Sequence, residues 1–234
     1  MNTFPSSKMP GAVILLIFFS LNCGQKVNNN LKKEVEYFEG IITYKILYRN
    51  NKDADLYGDT MKLYYSKGNL LKEYNGTSPK GLRQEIFFGS TNKYYMRIGT
   101  VDSLYSYDIT KNDIVLISEK HLKNDTSILG YACDKIEFNQ LHSPSPYFYV
   151  YSSYSFSDSV LKVDKKYFKD WTYGSFNKFI NEAGSFFLRF QTGIQYYSEK
   201  NLVTKIFEAV QIEEKPIDPA MFRIDTTRVT KFKP

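Results

Sequence analysis

Cys23 sits in the setting that most directly specifies a chemistry. It follows the apolar run Ala12–Leu21, ahead of which stands a single positive charge, Lys8. A run of ten falls short of the ~20 apolar residues that span a bilayer but suits the core of an export signal. No pair of small residues at an Ala-x-Ala-like spacing marks an ordinary cleavage site there. Cutting before Cys23 instead makes it the first residue of the mature chain, and its thiol, as thiolate, is the nucleophile that takes a diacylglyceryl group. The expectation is a lipid anchor at Cys23. Two other fates stay open: a plain secreted chain with a free Cys23, and a disulfide from Cys23 to Cys133, the only other cysteine.

The remaining reactive side chains form weaker sets. Cys133, His121 and His142 could be read as a thiol–imidazole pair or part of a metal site, but zinc needs three or four ligands and usually a close pair, and their spacing is irregular. Asp53-Ala54-Asp55-Leu56-Tyr57-Gly58-Asp59 has the spaced carboxylates and glycine of a calcium loop without its later ligands or its bidentate Glu; a polar hairpin loop is the simpler account. There is no Gly-x-Ser-x-Gly, no phosphate-cradling glycine loop and no His-Glu-x-x-His. Glu213 and Glu214 are adjacent, so on a strand they face opposite ways. No catalytic set, metal or cofactor is expected, and the chain reads as a non-enzyme.

The richest signal is aromatic: 20 Tyr and 18 Phe in 234 residues, enough to predict large buried or concave surfaces. Tyr147-Phe148-Tyr149-Val150-Tyr151 puts tyrosines on one strand face and Phe148 with Val150 on the other. Such a wall could hold an apolar guest oriented by phenol hydroxyls, or be ordinary sheet packing. Tyr147, Tyr149 and Tyr151 are the candidate ligand-binding residues on the strand, and Phe176, Phe179 and Ile180 those on a helix that would lie over it.

The elements that position these residues follow from periodicity. Ile42, Tyr44, Ile46 and Tyr48 alternate with Thr43 and Lys45, and Tyr94, Met96 and Ile98 with Lys93 and Arg97, which predicts strands. Further strands are expected over Met61–Ser66, Leu70–Tyr74, Leu82–Phe88, Leu104–Ile109, Ile114–Ser118, Cys133–Phe138, Tyr147–Tyr151, Phe186–Phe190 and Leu202–Ile212. Turns are expected at Arg49-Asn50-Asn51, Gly68-Asn69, Asn75-Gly76, Gly89–Asn92, Lys111-Asn112-Asp113 and Thr192-Gly193. Between strands, Asp164 can cap a helical turn through Phe168, and Ser175 a helix carrying Phe176, Phe179, Ile180 and Ala183 at helical spacing, stopped by Gly184. Asp218-Pro219 starts a last short turn.

This gives a signal peptide over 1–22, a lipid anchor and flexible tether over 23–34, one β-rich domain over 35–228 and a tail over 229–234. The fold expected is mainly β: an antiparallel curved sheet or half-open β-barrel with a short helical insertion packed on it. Net charge is +6, with both signs interleaved, which reads as a solvated surface and excludes a nucleic-acid footprint. The expected partners are a membrane through the N-terminal lipid, a lipid or other apolar ligand, and an envelope protein. Gly24-Gln25-Lys26 carries no acid to signal inner-membrane retention, so the outer membrane, facing the periplasm, is the expected site.

Three segments carry a resemblance. Phe38-Glu39-Gly40-Ile41-Ile42-Thr43-Tyr44-Lys45, Ile128-Leu129-Gly130-Tyr131-Ala132-Cys133-Asp134-Lys135 and Glu213–Phe222 resemble an uncharacterised family of exported bacterial envelope lipoproteins, in which a Gly-Tyr-Lys-Cys-like turn precedes a strand. Ala132 departs from that pattern where Lys is usual, and Cys23 sits in a segment that resembles a lipobox with Asn22 and Leu21 out of pattern. The resemblance implies a LolA-like fold, a half-open antiparallel barrel with a helical lid over an apolar concavity, whose relatives carry lipids or lipoproteins. It brings no catalytic or binding residues with it.

Overall fold

The computed structural model describes residues 35–49, 53–99, 104–111, 114–142, 148–196, 203–225, 227 and 229–231. The signal, anchor and tether readings over 1–34, with Cys23, lie outside these residues, as does Tyr147.

Alternating side chains make the first half of the sheet. β1 (Gly40–Tyr48), β2 (Thr60–Ser66), β3 (Asn69–Tyr74), β4 (Leu82–Phe88), β5 (Lys93–Ile98) and β6 (Leu104–Tyr107) form an up-and-down meander. Its register stacks inward residues in rows. Tyr65 faces Leu70, Leu70 faces Phe87 and Phe87 faces Tyr94, all buried. The turn between β2 and β3 falls at Lys67 and Gly68, both with positive φ (48° and 86°), as a two-residue hairpin of primed type requires. A Cβ on Gly68 would also lie 2.4 Å from the Tyr167 ring.

The second half is β7 (Ile114–Ile128), β8 (Tyr131–His142), β9 (Phe148–Phe156), β10 (Arg189–Tyr196) and β11 (Val203–Glu214). β11 pairs antiparallel with β1, so the two meanders join at β1 into one curved twelve-stranded sheet. The sheet runs from β12 (Val229–Lys231) to β7 and does not close. β12, within the stretch read as a tail, pairs parallel with β6, the one departure from antiparallel pairing among the described strands.

Several boundaries differ from the sequence expectation. β7 runs ten residues past Ser118, because a strand at the sheet edge can carry polar side chains on both faces, as Glu119–Ser127 does. Its turn to β8 is Leu129-Gly130, both at positive φ. Thr192-Gly193 is not a turn: it lies inside β10 at a register shift against β11. Phe186–Leu188 precedes that strand as a buried connection, held by Phe186 N–H to Leu161 O at 3.0 Å and Leu188 N–H to Ser155 O at 2.7 Å. The Asp53–Asp59 stretch holds a one-turn helix, α1 (Ala54–Tyr57), rather than a plain loop.

The insertion 157–188 between β9 and β10 fills one end of the concavity. Asp164 caps its first turn through Lys166 N–H at 3.2 Å. The main helix, α2 (Phe176–Ala183), buries Phe176, Phe179, Ile180 and Ala183 and ends at Gly184, whose N–H bonds Ile180 O at 2.9 Å with φ 65°. Ser175 precedes α2 in the left-handed region and makes no side-chain cap. Phe168 binds the insertion to the sheet, its ring within 5.6–6.4 Å of Phe87, Phe186, Phe176, Tyr65 and Trp171. On the convex side, Ile217 and Phe222 cover Leu71 and Ile86 as a smaller second core. There Glu39 Oε1 accepts from Ser66 Oγ at 2.8 Å and Ile217 N–H at 3.1 Å, fastening the C-terminal segment across the start of β1.

Candidate functional site: an apolar cavity with an internal ion pair

The part of the concavity that the insertion leaves unfilled forms a half-open cavity of about 540 Å³. One wall is the inner face of β2–β5, with Met61, Leu63, Leu70 and Met96. Val150, Ser152 and Tyr154 of β9 contribute further wall, with Phe190 and Phe207 of the neighbouring strands. Trp171, Tyr173 and Phe176 of the insertion, Leu56 and Tyr57 of α1, Leu82 and Lys205 also line it.

Inside this apolar wall is a charged pair that register alone dictates. Leu63 faces Lys72, Lys72 faces Glu85 and Glu85 faces Met96 across four strands, so a lysine and a glutamate stand side by side in a row of inward residues. Lys72 Nζ is 2.8 Å from Glu85 Oε2, with the two side chains 18% and 15% exposed. The Tyr74 hydroxyl donates to the same oxygen at 2.8 Å, and Tyr94 also bonds the carboxylate. Burial raises the Glu85 carboxyl, but the Lys72 ammonium and the three hydrogen bonds outweigh it and hold the group below its ordinary value. Burial, reinforced by the charge of Glu85, pushes both phenols well above theirs, so Tyr74 and Tyr94 are neutral donors. Lys72 Nζ also lies 5.9 Å from the centre of the Trp171 ring, and Lys205 Nζ 3.8 Å from that of Tyr57.

The sequence candidates divide. Phe176 lines the cavity. Phe179 and Ile180 are fully buried behind the lining, Phe179 stacked on Tyr154 at 4.2 Å. Tyr149 and Tyr151 are on the alternate face of β9 from the lining residues Val150, Ser152 and Tyr154; the Tyr151 hydroxyl donates to Glu137 Oε1 at 3.1 Å. Lys72, Glu85, Tyr74, Tyr94, Trp171 and Lys205 went unread. The signal for the first was present: Lys72 shares the alternating face of Leu70 and Tyr74, and Glu85 that of Phe87.

The thiol and imidazoles do not assemble. Cys133 is fully buried opposite Thr126, its Sγ donates to Tyr131 O at 3.3 Å, and burial raises the thiol. His121 is on the edge strand opposite Ile136, 2.6 Å from Glu119 Oε1, and His142 ends β8. In the calcium-loop-like stretch Asp59 accepts from Asn75 Nδ2 at 2.7 Å and Thr60 Oγ1 at 2.9 Å, bonds that hold its carboxyl below the usual range. Among the described residues no group of three or more His, Cys, Asp or Glu is placed to hold a metal, and no helix is long and apolar enough to cross a membrane. No family model and no curated protein matches the sequence.

Proposed function

We propose that the protein is a membrane-tethered envelope lipoprotein that binds an apolar ligand, such as a lipid or acyl chain, in the concavity of its sheet. The observation that carries this reading is the cavity itself: about 540 Å³, inside the range of small-molecule sites, with mostly apolar walls and a few convergent polar groups. A diacylglyceryl group on Cys23 and a tether through Lys33 would hold that cavity beside a bilayer, most naturally the periplasmic face of an outer membrane. The unclosed antiparallel sheet with a helical insertion at one end supports kinship with LolA-like carriers.

The test is mass spectrometry of the protein extracted gently from membranes. A stoichiometric lipid released on unfolding is the expected result, and repeated empty preparations would refute the carrier reading. Labelled fatty acid in the growth medium should mark the mature chain and fail to mark a Cys23→Ala variant.

A second reading, an envelope interaction protein without a ligand, is favoured by one feature. β7 is a fifteen-residue edge strand with Val115 and Ile117 more than half exposed, open to strand addition by a partner. In-cell crosslinking from β7 that captures nothing would count against it.

A further inference from the structure

We infer that the ligand is an acidic amphiphile: a carboxylate or phosphate-monoester head met by Lys72, Lys80 and Lys205, with a hydrocarbon tail against the apolar walls. This rests on the cavity reading above and specifies its ligand class.

The argument begins with the charges. The lining holds three lysines against one carboxylate, Glu85. That carboxylate is already engaged by Lys72, Tyr74 and Tyr94, so it has little left to offer a ligand or the other lysines. Among the described residues no carboxylate lies within ion-pair distance of Lys80 or Lys205. Lys205 lies over the Tyr57 ring, which attracts a cation but accepts no strong hydrogen bond. Lys72 spends one of its three N–H donors on Glu85 and faces Trp171 on another side. Cations left with unused donors beside an apolar, partly desolvated space favour an anion there.

The placement of the ion pair points the same way. A buried pair seldom adds stability over packed apolar residues, since desolvation offsets its attraction. Lys72 and Glu85 stand between Leu63 and Met96, where two apolar side chains would continue the row. Their use is positional: Glu85 and its two tyrosines fix the Lys72 ammonium at the wall. A cationic guest would meet aromatic rings here as well, but the excess of lysines repels it.

Trp171 supplies the test, because it is the chain's only tryptophan and it lines the cavity. Dibrominated stearic acid and its methyl ester are titrated into the full chain while tryptophan fluorescence is read. Saturable quenching by the acid is expected, with the ester at least about tenfold weaker, as loss of a charge-assisted hydrogen bond implies. Lys205→Met, and separately the paired Lys72→Met/Glu85→Leu change, should weaken the acid by about tenfold and leave the ester unchanged. Displacement of the brominated acid by stearate or by lysophosphatidate supports the inference, and their order tells which head is preferred. Acid and ester quenching equally, or acid affinity unchanged in both variants, overturns the inference while the carrier reading stands. Quenching by none of these probes overturns both.

Discussion

Replacing Lys72 by methionine keeps an apolar stem in the wall and removes the ammonium 2.8 Å from Glu85. At an effective dielectric near 20, unit charges at that 2.8 Å separation attract by about 6 kcal/mol, before the cost of withdrawing both from water. Breaking one side of such a pair typically costs about 3–5 kcal/mol, because the other charge is left buried and uncompensated. The Tyr74 and Tyr94 hydroxyls still serve Glu85, which places the expected loss at the lower end, about 3 kcal/mol. The double variant Lys72→Met/Glu85→Leu removes both charges and should return to within about 1 kcal/mol of the parent.

The pH dependence has a definite sign. With Lys72 present the Glu85 carboxyl is held below its ordinary value, so the stability it contributes is full above the unfolded-state value and fades as pH falls through the lower folded one. Without the ammonium, burial is far less opposed, and protonating Glu85 relieves the variant. The gap between parent and Lys72→Met should therefore narrow on acidification. Urea unfolding followed by Trp171 fluorescence and far-ultraviolet circular dichroism measures each term. A single variant within about 1 kcal/mol of the parent, or a double variant as unstable as the single, would refute the account of the pair.

Two further perturbations probe the frame around the cavity. Phe168→Ala removes a fully buried ring that touches both sheet and insertion, and should cost about 3–5 kcal/mol in urea unfolding; a loss below about 1 kcal/mol would mean the insertion is not anchored there. Gly40→Ala places a Cβ 2.0 Å from the Glu213 carbonyl oxygen and should destabilise by about 1–3 kcal/mol, read as a lower melting temperature, whereas an unchanged melting temperature would contradict the close approach of β1 and β11.

The strands with one buried and one wet face were legible because burial imposes a period of two, as at Ile42, Tyr44 and Ile46, all inward and buried. α2 was legible for the same reason at a period of 3.6, with Gly184 as its stop. β7 was legible only over Ile114–Ser118; its extension was not, since no face of Glu119–Ser127 is driven inward at the sheet edge. Nor could the sequence choose between the faces of β9. Both lean apolar, and the choice is made by neighbours: Tyr154 packs on Phe179 and Phe190, while Tyr151 meets Glu137 across the strands. The cavity's ion pair was hidden by a different cause. Lys72 and Glu85 are thirteen residues apart in sequence and become neighbours only through the β3–β4 register.

The seam between β1 and β11 has a consequence for how the chain reaches this state. Apart from the insertion between β9 and β10, each meander pairs strands adjacent in sequence, but the seam joins Ile42 to Ile212 and Tyr44 to Ala209 across most of the chain. Closing so long a loop is an entropic cost that local contacts cannot offset in advance. The seam is therefore expected to form late, after both meanders exist. Until then β1 and β11 each expose an unpaired edge, and β1 is the first strand among the described residues. A chain fixed by its N-terminal end to a membrane would complete its sheet beside the surface, where a neighbouring copy's free edge competes with its own.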